Sequence, residues 1–333
     1  MSRGQRGLFG AGLMLGFGVC GWLAASGYYL TTPHDVAGQS QVFRITRGES
    51  LADIGTRLVE GGLVSRHAPL SLWGRLAGAD RRMRQGAFKI SPAQTPLEIL
   101  RTLISSRPIS LRVTLPEGLT CRQMLGRLSQ TLDVPLPDLL AAASDSVWLR
   151  SLGLPGSPEG YLFPETYFFD GGSEPHAILE RLIRTGFERV DPTRRARAQA
   201  LGMSHHQLLT MASIIEAESG LPIERRRIAA VYRNRLLRGW PLQADPTVAY
   251  AVGHPGRKLT TADLGVDSPY NTYRRAGLPP GPICSPGMTS IDAALWPLEG
   301  CPDLFFVARG DGGHVFSQTL QEHNLARRLI GQE

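Results

Sequence analysis

The sequence predicts an α+β protein in three parts: a single N-terminal transmembrane helix within residues 1–33, a small α+β unit over 34–110, and a larger mixed α/β region over 111–333. Three observations carry this. An uncharged run from Gly7 to Pro33 follows Arg3 and Arg6. Short alternating segments, separated by turn residues and amphipathic stretches, recur up to about residue 115. Beyond them the pattern becomes mostly helical, interrupted by one aromatic stretch.

The N-terminal run exceeds the ~20 residues needed to cross a hydrocarbon core of ~30 Å. Tyr28 and Tyr29 stand where an interfacial aromatic belt would lie. A cleaved signal peptide would have a shorter apolar core and a small-x-small cleavage site, for which Ala24-Ala25-Ser26 is a weak candidate. The expectation is a retained single-pass anchor in the inner membrane. Arg3 and Arg6 would keep the N-terminus cytoplasmic, with everything after residue 33 in the periplasm. Cys121, Cys284 and Cys301 then lie in an oxidising compartment, where Cys284 and Cys301 are expected to bridge, closing a loop of about 18 residues worth ~3 kcal/mol.

Composition narrows the function. The 42% hydrophobic content supports a packed core, and the net charge of +7 is carried almost wholly by Arg, with Lys only at Lys89 and Lys258. A basic surface suits an anionic partner, yet no Lys/Arg-rich tract or nucleic-acid motif is present, so nucleic acid is set aside. No His/Cys spacing suggests a metal site, and no G-x-S-x-G elbow suggests a serine hydrolase.

In the second part, Val42–Thr46 alternates as a strand. Ser50-Leu51-Ala52-Asp53 opens a helix with Leu51, Ile54 and Leu58 inside. Gly86–Ile90 reads as another strand, and Thr95-Pro96-Leu97-Glu98 starts a helix with Pro at its first position. This strand–turn–helix unit resembles a LysM-like glycan-binding module. Leu111–Leu115 is a third strand, and Thr120-Cys121-Arg122-Gln123 caps the next helix around Met124, Leu125 and Leu128. The stretch from Glu159-Gly160 through Phe163-Pro164 to Phe169 is aromatic, which fits a core or a wall against which sugars pack.

Ser204-His205-His206-Gln207 caps a helix that runs to Glu216-Ala217-Glu218-Ser219, stopped by Gly220 and Pro222. The helix is apolar on most sides and should be buried. Its two carboxylates are two residues apart, about 200° around the axis, so they cannot share a face. A carboxyl at the end of a buried helix is poised as an acid, because desolvation and the negative pole of the helix both raise its pKa. Glycosidic cleavage needs such an acid. The competing reading makes both residues solvated helix ends or partners of Arg225–Arg227.

Downstream come Ile228 to Leu236, Leu242-Gln243-Ala244-Asp245-Pro246-Thr247-Val248, Pro269-Tyr270-Asn271-Thr272-Tyr273, Gly277 to Ile283, and Gly312-Gly313-His314-Val315-Phe316-Ser317. In this order they closely resemble the endolytic murein transglycosylases, the YceG-like family. The resemblance implies a lysozyme-like catalytic region with one essential acid. Glu218 is the matching residue, with Glu216 in reserve. Gln243, Asp245, Thr247, Tyr270, Asn271, Thr272, Tyr273 and His314 are candidate substrate contacts. His314 and His323 are candidate polar supports of the cleft, with structural roles as the alternative; Asp245 before Pro246 also reads as a helix N-cap, and Leu304–Phe316 as a hairpin around Gly310–Gly313. The implied activity is a lyase that cuts the MurNAc-β-1,4-GlcNAc bond of nascent peptidoglycan strands, leaving 1,6-anhydro ends and terminating elongation, without a cofactor. Its partners would be glycan strands, the inner membrane and peptidoglycan synthases. A hydrolytic muramidase and a non-catalytic wall-binding scaffold are the alternatives.

Overall fold

The computed structural model describes residues 18, 20–46, 48–66, 68–79, 81–83 and 85–331. They form a mixed helix and sheet architecture with two compact units, one comprising the described residues up to 111 together with 168–173, the other 112–167 and the described residues from 174 onward.

The expected transmembrane anchor is corrected. Residues 20–31 are helical, but among the described residues no helix is long and apolar enough to cross a membrane. The first part of the uncharged run, residues 7–17 and 19, lies outside the described residues. Leu30 is instead part of the first unit's apolar core, and the Tyr29 ring packs against it while its hydroxyl donates to the Arg66 carbonyl. Tyr29 thus has a protein partner where the sequence suggested a lipid interface.

In the first unit, β1 (Gln41–Ile45) pairs antiparallel with β2 (Gly86–Ile90), Phe43 opposite Phe88. Helices Leu51–Glu60 and Ala68–Leu76 lie between them in sequence, and Pro96–Ser105 follows. Both expected capping boxes form: the Ser50 side chain accepts from the Asp53 N–H and Thr95 from Glu98, each reciprocated. The apolar spacing then turns Leu51, Ile54 and Leu58 against Phe88, Ile90, Ile99 and Leu103 in one core.

β3 (Ser110–Thr114) pairs with β4 (Thr166–Asp170), and the boundary between the units falls within both strands. In the second unit, the buried helix His205–Glu218 packs against Met288–Leu295, Arg225–Leu237 and Asp245–Ala251. The hairpin β5 (Phe305–Ala308) and β6 (His314–Ser317) follows in antiparallel register, and the helix Leu320–Ile330 packs on it.

The expected Cys284–Cys301 bridge does not form; both are free thiols. Cys284 is buried, its thiol donating to the Ser213 carbonyl at 3.4 Å, while Cys301 lies 3.3 Å from the Asp303 carboxylate. Each sulfur is held by its own neighbours on a different part of the chain.

Candidate active site

The site is organised by the helix His205–Glu218. Ser204 fixes its start: the hydroxyl accepts the Gln207 N–H, and the Gln207 side chain accepts the Ser204 N–H at 2.9 Å. Leu208 through Ile215 are all buried. Gly220 follows the helix at a point where a Cβ would fall 2.6 Å from the Gly312 carbonyl oxygen, so glycine is what lets the hairpin loop approach the helix end.

The two carboxyls leave this helix in different directions, as their spacing requires. The Glu216 side chain is 7% exposed and fully engaged. Arg225 donates to Oε1 at 2.8 Å, and the Gly287 N–H donates to Oε2 at 3.0 Å. Arg225 also donates to the Thr289 hydroxyl and lies 3.7 Å from Glu117. A Cβ at Gly287 would fall against the Glu117 carboxylate, so a side chain there would displace the outer end of Glu117. Burial, and then repulsion from Glu216, push the Glu117 carboxyl above its ordinary pKa.

Glu218 has no ion pair among the described residues. Its Oε1 accepts one hydrogen bond, from the Tyr232 hydroxyl at 2.6 Å. Burial pushes its pKa up to about 7; the Tyr232 hydrogen bond opposes the rise, Asp245 adds to it by repulsion, and Arg235 also opposes it. Tyr232 itself is fully buried.

Glu218 lines a cleft of about 540 Å³ together with Gln243, Asp245, Tyr273 and His314. Five of the residues singled out from sequence therefore meet in one place. Asp245 is not the expected N-cap. The cap position of the helix Asp245–Ala251 is Ala244, with no side-chain cap, and Asp245 instead accepts the Tyr273 hydroxyl. Gln243 takes a left-handed backbone, φ 49°, unusual for a residue with a Cβ, and its N–H donates to the Thr272 carbonyl at 3.1 Å. His314 is fixed by Glu224, which lies 2.7 Å from Nδ1 and accepts the His314 backbone N–H at 3.2 Å.

The other candidates lie elsewhere. Thr247, Asn271 and Thr272 are buried, at 0%, 0% and 1% exposure, and serve the backbone. The Thr272 hydroxyl accepts the Ala244 N–H at 3.0 Å and lies 2.9 Å from the Thr247 hydroxyl. The Asn271 amide donates to the Leu264 and Val266 carbonyls, both at 2.9 Å. These three hold the loops that carry Gln243, Asp245 and Tyr273. Tyr270 packs against Tyr250, ring centroids 5.0 Å apart, away from the cleft lining.

Sequence reasoning missed Tyr232 and Arg235; on the last helix it singled out His323, which lines the cleft, but not Asn324 or Arg327. Tyr232 and Arg235 are polar residues three apart within the otherwise buried face of Arg225–Leu237, a spacing that marks one side of a helix. Arg235 donates to the carbonyls of Leu304 at 2.7 Å and Leu242 at 2.6 Å, tying the hairpin to the Gln243 loop. Among the described residues no group of three or more His, Cys, Asp or Glu is arranged to hold a metal ion.

The chain is 31% identical over 302 residues to the endolytic murein transglycosylase of Bacillus subtilis, covering 85% of this chain and 82% of that protein. It is 27% identical to the endolytic murein transglycosylase of Streptococcus pneumoniae D39, of which it spans only 56%. The crystal structure of a YceG-like protein from Listeria monocytogenes superposes with a TM-score of 0.60 at 32% identity, covering 87% of this chain and 99% of that one. The YceG-like family profile matches residues 43–328, nearly the whole of what the structure describes, and this chain belongs to the YceG-like family.

Proposed function

We propose that the chain is an endolytic peptidoglycan lytic transglycosylase that cuts the MurNAc-β-1,4-GlcNAc bond with Glu218 as its acid and base. The observation that carries the residue assignment is Glu218 itself: a carboxyl raised to about 7, with a single described hydrogen-bond donor, on the wall of a large cleft. The activity is supported by family membership and by the names of the curated relatives.

The protonated Glu218 gives its proton to the glycosidic oxygen as the C1–O bond breaks, and positive charge develops at C1 of the muramyl ring. The resulting carboxylate takes the proton of that ring's C6 hydroxyl, and O6 closes onto C1. The products are a free 4-hydroxyl on the leaving sugar and a 1,6-anhydro-muramyl end. No water is consumed, and intramolecular attack has a large effective-concentration advantage. Tyr232 is a positioning residue: by donating to Oε1 it leaves Oε2 to carry the proton. Gln243, Asp245, Tyr273 and His314 are the groups placed to meet the sugar. Peptidoglycan is built outside the cytoplasm, so the site works there, on nascent strands beside the synthases that extrude them.

Asp245 is a second carboxyl in the same cleft, the one feature that fits a hydrolytic muramidase. Mass analysis of digested sacculi separates the two. The expected ends are 1,6-anhydro-muramyl, one water lighter than a reducing end. Reducing ends carrying oxygen from labelled water would replace the lyase with the hydrolase.

A further inference from the structure

The helix Leu320–Ile330 presents Leu320, His323, Asn324 and Arg327 to the cleft, positions i, i+3, i+4 and i+7 of a single helical face. Arg327 is exposed, and its guanidinium has no carboxylate partner among the described residues. The cleft's other arginine, Arg235, is committed to the Leu304 and Leu242 carbonyls. On the helix Arg225–Leu237, Arg225 is engaged with Glu216 and Arg227 with Asp303. Beside Arg327, the His323 ring stacks on Phe305 with centroids 5.4 Å apart, and its Nδ1 is buried with no hydrogen-bond partner among the described residues. Burial, then Arg327 and Arg235, disfavour a proton on that ring. The cleft therefore keeps one uncommitted cation, an exposed amide and an unsatisfied ring nitrogen along a single strip.

A backbone of N-acetylated sugars is uncharged and offers nothing to a lone guanidinium. The negative charges of an uncrosslinked strand are the carboxylates of the peptides attached to the muramyl lactyl groups. We propose that the cleft face of the helix Leu320–Ile330 is a subsite for the carboxylate-bearing stem peptide of a bound muramyl residue, with Arg327 as its anion-recognising group. This rests on reading the cleft as a peptidoglycan site. Charge-assisted bonds to a carboxylate suit Arg, and Asn324 supplies a donor and an acceptor for a peptide backbone.

The test compares glycan strands whose stem peptides carry free carboxylates with the same strands in which those carboxylates are capped as methylamides. The wild-type protein should prefer the strands with free carboxylates by roughly fivefold or more in kcat/KM, and added salt should shrink that preference. R327Q should bring the ratio of the two substrates close to one. R328Q, which removes the same charge from an exposed neighbour outside the cleft lining, should keep the preference. A wild-type ratio near one, or a ratio unchanged in R327Q, overturns the subsite. Cleavage of neither strand by the wild type overturns the reading of the cleft itself, and the subsite with it.

Discussion

Glu216 and Glu218 leave the same turn of one helix, and the protein treats them in opposite ways. The Glu216 side is saturated with donors: a buried guanidinium and a backbone N–H hold both carboxylate oxygens. The Glu218 side supplies one hydroxyl and an open cleft. Both carboxyls are largely buried, but only one has its charge compensated. A compensated carboxylate is a structural tie, whereas an uncompensated one holds its proton near neutral pH and can give it away. The difference lies in the partners, since helix, burial and residue type are shared.

The sharpest way to break this comparison is to neutralise each carboxyl in turn. E218Q keeps the shape and can still accept from Tyr232, but it has no proton to give; cleavage of sacculi should fall by at least ~10²-fold. Stability should move the other way. The folded pKa of about 7 exceeds the ordinary carboxyl value of 4.5, so the ionised form costs folding free energy above pH 7, and the cost disappears below about pH 4.5. E218Q should therefore melt at a higher temperature than wild type at pH 8 and at the same temperature at pH 4. Full activity in E218Q would end the assignment.

E216Q should show the reverse pattern. Removing one member of a buried pair leaves Arg225 with only the more distant, half-exposed Glu117, at a cost of about 3 kcal/mol, read as a drop in Tm of roughly 5–10 °C. Activity below the new Tm should stay well above that of E218Q. An inactive but stably folded E216Q would exchange the two roles.

The smallest effect sharpens the pair by altering only the Glu218 environment. Y232F removes the one donor to Oε1, so the proton is held more tightly. Activity requires the protonated acid and should fall as pH rises through about 7 in the wild type. In Y232F that falling limb should move upward by up to ~1 pH unit, with kcat reduced by no more than ~10-fold. A limb that stays in place would mean Tyr232 does not set the acid.

Much of this was legible in local sequence, because the signals are local. The boxes at Ser50, Thr95, Thr120 and Ser204 each need only four residues, and all four form with both reciprocal bonds. The opposed faces of Glu216 and Glu218 follow from 3.6 residues per turn. What was not legible depends on partners distant in sequence. Asp245 carries a strong local cap signature, yet the Tyr273 hydroxyl, 28 residues away, takes its side chain. Asn271 and Thr272 look like loop residues suited to sugars, but they are the buried pins of the loop, while Tyr273 beside them reaches the cleft. Arg327 lies at the far end of the chain from the acid helix, and nothing nearby in sequence marks it. The apolar run before residue 33 has the composition of an anchor, and composition does not register that Leu30 and Tyr29 belong to a protein core.

The cap at Ser204 and the glycine stop at Gly220 also make the acid helix a ruler. Each residue added or removed between those marks turns its end by about 100° and shifts it by about 1.5 Å. One insertion would carry the acid off the cleft wall, and two would bring round to it a different side chain than the one that faces it now. The fourteen residues from His205 to Glu218 cannot change in number and keep the chemistry, so the count of that segment is as much a determinant of the activity as the identity of its last residue.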